Sequence, residues 1–111
     1  MYLLHARNSL HALQVTENGW SCNSMTEADA VTDTQQLGYF QNYTEQIRLT
    51  MSHDKVDVRA YFGWSLMDNY EWSDGYSKRF GLFYVDYATQ RRVPKLAANW
   101  WNATRHACHG H

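Results

Sequence analysis

Glu17 closes an apolar, β-branched run in Leu13-Gln14-Val15-Thr16-Glu17-Asn18-Gly19. A carboxylate at the C-terminal end of a parallel strand stands where α/β barrels place catalytic groups. Taken alone, an acid followed by Asn-Gly reads first as an ordinary turn residue, solvated and inert. A denser cluster follows in Trp64, Asp68, Asn69, Glu71, Trp72 and Phe80. Nine aromatic residues lie between Tyr61 and Val85, more than half of those in the chain. A dry core is built mainly from Leu, Ile and Val, whereas Trp and Tyr interleaved with Asp, Asn and Glu suit a wet, amphipathic site. Sugars have the matching chemistry: apolar C–H faces that stack on an indole, and a rim of hydroxyls for a carboxylate and an indole N–H. On composition alone, core packing competes with that reading.

Holding these groups requires strands and crossovers, and the pattern supplies both. Leu13–Thr16 reads as a short strand ended by the Glu17-Asn18-Gly19 turn signal. From Trp20 to Val31 the residues are small and polar and read as a loop. Thr32 and Gln35 fit a capping box. Leu37, Phe40, Tyr43, Ile47 and Met51 then recur at spacings of three and four, one apolar stripe on a helix of about five turns, weakened slightly by Gly38. Ser52-His53-Asp54-Lys55 carries the turn into a strand, Val56 to Trp64, whose second half has almost no polar alternation. That is expected of a parallel strand buried on both faces. A long connection, Ser65 to Gly81, leads to a short strand over Leu82–Val85. Pro94 marks the first turn of a closing helix bearing Leu96, Ala97, Trp100, Trp101 and Ala103. Strand, helix, strand, helix is the order of a parallel α/β fold. Two strands are too few for a parallel sheet covered on both faces, so the pattern predicts a sheet completed by chain outside these residues.

Composition narrows the function classes. The 111 residues are 44% hydrophobic and 19% charged, with a net charge of -1, which fits a packed domain and gives no reason to expect nucleic acid or an anionic membrane as partner. No apolar run approaches the roughly 20 residues of a membrane span. The first residues have a short apolar patch broken by His5, Arg7 and Asn8, unlike a secretory signal. Two glycosylation triplets, at Asn42 and Asn102, tilt the compartment towards the secretory route. Cys22 and Cys108 are compatible with one disulfide or two thiols. The tail His106, Cys108, His109 and His111 could ligate a metal, but a frayed terminus is the expectation, and no metal or cofactor is expected elsewhere.

Three motifs carry a resemblance. Val15-Thr16-Glu17-Asn18-Gly19, the run from Gly63 through Trp64-Ser65-Leu66-Met67-Asp68-Asn69-Tyr70-Glu71-Trp72, and Arg79-Phe80-Gly81-Leu82-Phe83-Tyr84-Val85-Asp86 stand in order. Together they resemble the C-terminal part of glycoside hydrolase family 1, the β-glucosidase family, from about Leu13 to Trp101. The resemblance implies an α/β fold, the last two βα units of a (β/α)8 TIM barrel. Residues 13–105 are then its seventh and eighth units, 1–12 a leader that matches poorly, and 106–111 a tail. It implies that Glu17 is the catalytic nucleophile and Trp64 the platform under the sugar. It gives Glu71 the 4- and 6-hydroxyls, Trp72 the 3-hydroxyl, and Phe80 the wall near the 6-position.

Relatives acting on 6-phosphorylated sugars change the positions of Glu71 and Trp72. An anionic Glu71 therefore points to unphosphorylated β-glucosides or short β-linked oligosaccharides. Two positions depart from the family, Gln36 where Arg is usual and Ala97 where Ser is common. Retaining glycosidases need two carboxyl groups about 5–5.5 Å apart. In this family the acid/base lies in an Asn-Glu-Pro motif on an earlier strand, and the chain's sole proline, Pro94, follows Val93. These residues thus hold half of a catalytic pair, need the remainder of the barrel, and are expected to show no turnover alone. A non-catalytic binding protein on the same barrel, or a truncated product without activity, are the competing readings.

Overall fold

A computed structural model describes residues 12–23 and 26–107, with side chains described as far as Thr104. The segment read as a leader, all but Ala12, and the tail side chains with Cys108 lie outside the described residues. Leu13 and Val15 alternate with polar residues to form β1 (Leu13–Asn18). This strand runs two residues into the expected turn and takes in Glu17. The extension follows from pairing: β1 lies parallel to β2 (Val58–Gly63), with Leu13 opposite Val58, Val15 opposite Tyr61 and Asn18 opposite Gly63. The ladder continues past the sheet, where the Trp64 N–H donates to the Asn18 carbonyl at 2.7 Å.

The crossover between the two strands contains α1 (Glu27–Val31) and α2 (Thr34–His53). The first lies in the stretch read as a loop. It is a five-residue helix capped by Thr26, whose hydroxyl accepts from the Asp29 N–H at 3.1 Å, and too short to show a period. The cap of α2 falls one residue later than the capping box suggests. Asp33 accepts from the Gln35 and Gln36 N–H groups at 2.9 and 3.1 Å, because Thr32 is already engaged in closing α1.

Helix α2 has the expected length, 20 residues. Phe40 is fully buried, whereas Met51 at the far end of the stripe is exposed. Between them, Tyr43 and Ile47 line a groove of about 540 Å³ with Leu13, Val15 and Val58.

The last helix, α3 (Leu96–Ala107), sends Trp101 between α2 and the sheet. Its indole meets Phe40 edge-on at 5.0 Å and stacks on Tyr61 at 5.6 Å. Contrary to expectation, Pro94 does not open this helix. It ends β4 (Arg92–Pro94), which pairs antiparallel with β3 (Phe83–Val85). An edge strand tolerates a residue without an N–H. Asp86 shapes the connecting turn by accepting from the Ala88 N–H and the Thr89 hydroxyl, and Gln90 takes a positive φ. Nor is β2 buried on both faces in this chain: Phe62 is 55% exposed, on the side of the sheet opposite Tyr61, which stacks on Trp101.

Behind the sheet lies a phenol-amide network. Tyr61 donates to the Asn18 side-chain carbonyl at 2.5 Å, and the Asn18 amide donates to the Tyr39 oxygen at 3.0 Å. Burial, and then neighbouring phenols, hold Tyr61 and Tyr39 above the ordinary phenol value of 10.0. The folded state therefore binds these protons more tightly than the unfolded chain. Their stabilisation is complete below about pH 10 and is lost as pH rises through the folded values. Urea midpoints measured from pH 8 upward should fall above about pH 10, and Tyr61→Phe should flatten that fall. An equally steep loss in the variant would refute the assignment.

Candidate active site

Because β1 and β2 run parallel, their C-terminal ends lie side by side. Glu17 is the penultimate residue of one and Trp64 the first residue after the other. The register shifts between Val15 and Asn18. Leu13 and Val15 line the groove with α2, and Asn18 also bonds to α2 through Tyr39. Parity along a regular strand would not allow all three, and the irregularity leaves Thr16 and Glu17 both exposed. Such irregularities re-aim a side chain at the end of a ladder. Among the described residues the Glu17 side chain makes no hydrogen bond or ion pair.

Gly19 explains how the exit of β1 can lie against Trp64. A Cβ on Gly19 would stand 2.0 Å from the Trp64 carbonyl oxygen and 2.9 Å from its carbon. Both are backbone atoms with little room to move. Gly19→Ala should therefore cost about 1–3 kcal/mol and displace Trp64, read as a lowered urea midpoint together with changed tryptophan fluorescence. An unchanged midpoint would contradict the close approach.

The Trp64–Ser65 peptide is cis. The Trp64 indole N–H donates to the Glu71 carboxylate at 3.2 Å, which joins two of the residues singled out from sequence. Glu71 enters a tight turn: its N–H donates to the Gly75 carbonyl at 2.7 Å, and its carbonyl accepts from the Asp74 N–H at 2.8 Å. Within that turn Trp72 has φ of 46°, and its side chain stands 82% exposed. Phe80 is half-buried, with its carbonyl accepting from the Ser65 N–H at 3.1 Å. Trp64, Glu71, Trp72 and Phe80 thus belong to one connection, while Glu17 stands on the neighbouring strand.

The support beneath this connection was not legible in the sequence. Asp68, 4% exposed, accepts from Arg79 at 2.7 Å, the Gly81 N–H at 2.9 Å, the Val85 N–H at 3.2 Å and Lys95 at 3.3 Å. Both its oxygens are engaged, so Asp68 is a structural anion. Lys95 is fully buried, and only its place beside Pro94 sets it apart in the sequence. Gln36, also fully buried, donates to the carbonyls of Trp20, Phe80 and Gly81 at 3.3, 3.1 and 3.2 Å.

Among the described residues no group of three or more His, Cys, Asp or Glu could hold a metal. No described helix is long and apolar enough to cross a membrane. An exposed carboxylate beside an indole–carboxylate pair, at one edge of a parallel sheet, can present an anionic nucleophile and a stacking face to a polyol.

Comparison with known proteins gives this arrangement a lineage. The family model described as glycosyl hydrolase family 1 matches residues 1–109. Beta-glucosidase 1B of Phanerodontia chrysosporium is 49% identical over 86 residues, covering 75% of this chain and 16% of that protein. A 6-phospho-beta-galactosidase of Leptotrichia buccalis is 43% identical over 89 residues, covering 80% of this chain and 19% of its own length. The crystal structure of a β-glucosidase from the fungus Humicola insolens, in complex with glucose, superposes with a TM-score of 0.81 at 38% identity, over 86% of this chain and 21% of that one. The chain therefore spans about a fifth or less of the proteins it matches. Matched by the family model along nearly all its residues, it belongs to glycosyl hydrolase family 1 and has the fold of the last two βα units of that family's TIM barrel.

Proposed function

We propose that residues 13–105 are the seventh and eighth βα units of a retaining β-glucosidase acting on unphosphorylated β-glucosides or short β-linked oligosaccharides. Glu17 is its nucleophile, and Trp64, Glu71, Trp72 and Phe80 form its sugar subsite. The observation that carries the proposal is the Trp64 indole bonded to the Glu71 carboxylate at the strand edge where Glu17 stands exposed. Glu17 attacks the anomeric carbon as the bond to the leaving oxygen breaks. A second carboxyl group protonates that oxygen, then takes a proton from the water that cleaves the glycosyl ester. Among the described residues none fits that second role: Asp68 is enclosed by its partners. The neutral sugar is favoured over a 6-phosphate because Glu71 beside a phosphate would set two anions against each other.

The test is a family 1 β-glucosidase in which residues 13–105 replace the matching segment. The graft should hydrolyse an aryl β-glucoside with retention of configuration. A 2-deoxy-2-fluoro glucoside should label the peptide containing Glu17. The 111 residues by themselves should turn over none of the aryl glucoside. Labelling at another residue, or turnover by the chain alone, would overturn the assignment.

A further inference from the structure

The Gly81 peptide is held from both sides by buried side chains that come from distant parts of the chain. Its carbonyl accepts from Gln36 of α2 at 3.2 Å, and its N–H donates to Asp68 at 2.9 Å. There is no slack around it. A Cβ on Gly81 would lie 2.1 Å from the Asp68 nitrogen and 2.5 Å from the Phe83 oxygen. The same Gln36 amide reaches the Phe80 carbonyl and, across the crossover, the Trp20 carbonyl, three residues beyond Glu17. The flanking backbone is tied to Ser65, which accepts from Leu82 and donates to Phe80, and Ser65 directly follows Trp64.

We propose that Gln36, acting with Asp68, is a positioning residue that sets the segment carrying Phe80 against Trp64 and against the exit of the Glu17 strand. The proposal rests on the reading of these residues as a sugar site, and it adds what holds the site's two halves in register. Gln36 performs this by donation alone. Its Nε2 is shared among three carbonyls, while its own Oε1 is buried without a hydrogen-bond partner. A group chosen for packing or for balanced amide pairing would not be left so one-sided. A guanidinium at this position would supply more donors and no orphaned acceptor.

Two readouts test the proposal. In the full chain, Gln36→Met keeps the volume and removes the donors, and Gln36→Arg keeps donors. Amide and indole NMR signals of Trp64, Phe80 and Gly81 should shift or broaden in Gln36→Met while those at the far end of α2 stay in place. The Gln36→Arg spectrum should keep the site signals sharp. In the active graft, Gln36→Met should raise KM for the aryl glucoside about tenfold or more, with a smaller change in kcat, because the subsite is misplaced while the nucleophile is intact. Gln36→Arg should restore it. Unmoved site signals, or an unchanged KM, would overturn the proposal. Should Gln36→Met fail to fold, Gln36→Arg decides alone: native-like site signals support the clamp, and scattered ones overturn it. Inactivity of the unsubstituted graft would count against the functional reading only, and the NMR measurement would still decide the clamp.

Discussion

Replacing Asp68 with alanine is expected to lower the unfolding free energy of the chain by about 3–5 kcal/mol, the range for removing one partner of a buried ion pair. Asp68 is the sole anion between two buried or nearly buried cations. Its side chain is 0% exposed, as is that of Lys95, and that of Arg79 is 12% exposed. Its removal leaves Lys95 without its carboxylate and strands the Gly81 and Val85 N–H groups. Arg79 suffers less, since it also donates to the Val85 carbonyl and lies over the Tyr84 and Tyr87 rings at 4.3 and 4.9 Å.

Domains of ordinary stability have only about 5–15 kcal/mol in all, so much of the Asp68→Ala population should be unfolded at room temperature. Asp68→Asn keeps the shape and an acceptor, and should fall between the two. The contrast is Glu45, paired with Arg48 on the surface of α2 with both side chains at least half exposed. Its replacement should leave the urea midpoint nearly unchanged, because an exposed pair is screened by solvent. Urea unfolding followed by circular dichroism checks all three variants. An Asp68→Ala loss as small as that for Glu45 would mean that the cluster does not hold the connection.

Asp68 and Gln36 also show where sequence reading stops. The long amphipathic crossover was legible from its repeating stripe and the parallel pair of strands from runs of β-branched and apolar residues, signals that one residue's identity cannot disturb. Glu17 and the Trp64–Trp72 run were legible because carboxylates and indoles announce chemistry wherever they stand. Asp68 stands in the same run and reads with it, but nothing local marks it as structural. Beside Glu71 and Asp74 it looked like one more acid, and its anchoring role comes from Arg79, Gly81, Val85 and Lys95 folding back upon it. The Gln36 partners lie 16 to 45 residues away in sequence, and no local pattern encodes such contacts. The shorter elements were missed for a related reason. A five-residue helix and a three-residue edge strand exist because caps and pairing stabilise them, and a period cannot be read from one turn. The pairing shift between Val15 and Asn18, which exposes Glu17, depends on both strands at once.

In the graft, Glu17→Ala is expected to reduce turnover of an aryl β-glucoside by a factor on the order of 10⁴ to 10⁶, the scale set by removing a nucleophile from a group that acts as a unit. Nothing nearby can substitute, since Glu71 is bonded to Trp64 and Asp68 is enclosed by its cations. The truncation also opens a space at the anomeric carbon the size of a small anion. Added azide should enter it, attack the sugar from the Glu17 side and expel the aglycone in one displacement. The product should then be the α-glycosyl azide, whereas the intact graft returns the β-sugar by two displacements. If Glu17 were only the solvated acid of a strand end, the alanine variant would lose less than about tenfold and azide would change neither rate nor product. Stability separates the cases further. The Glu17 side chain makes no hydrogen bond or ion pair among the described residues, so its truncation should leave the urea midpoint nearly unchanged. A large loss of turnover at constant stability is therefore the signature of chemistry at this carboxylate, and a parallel fall in both would assign it to the fold instead.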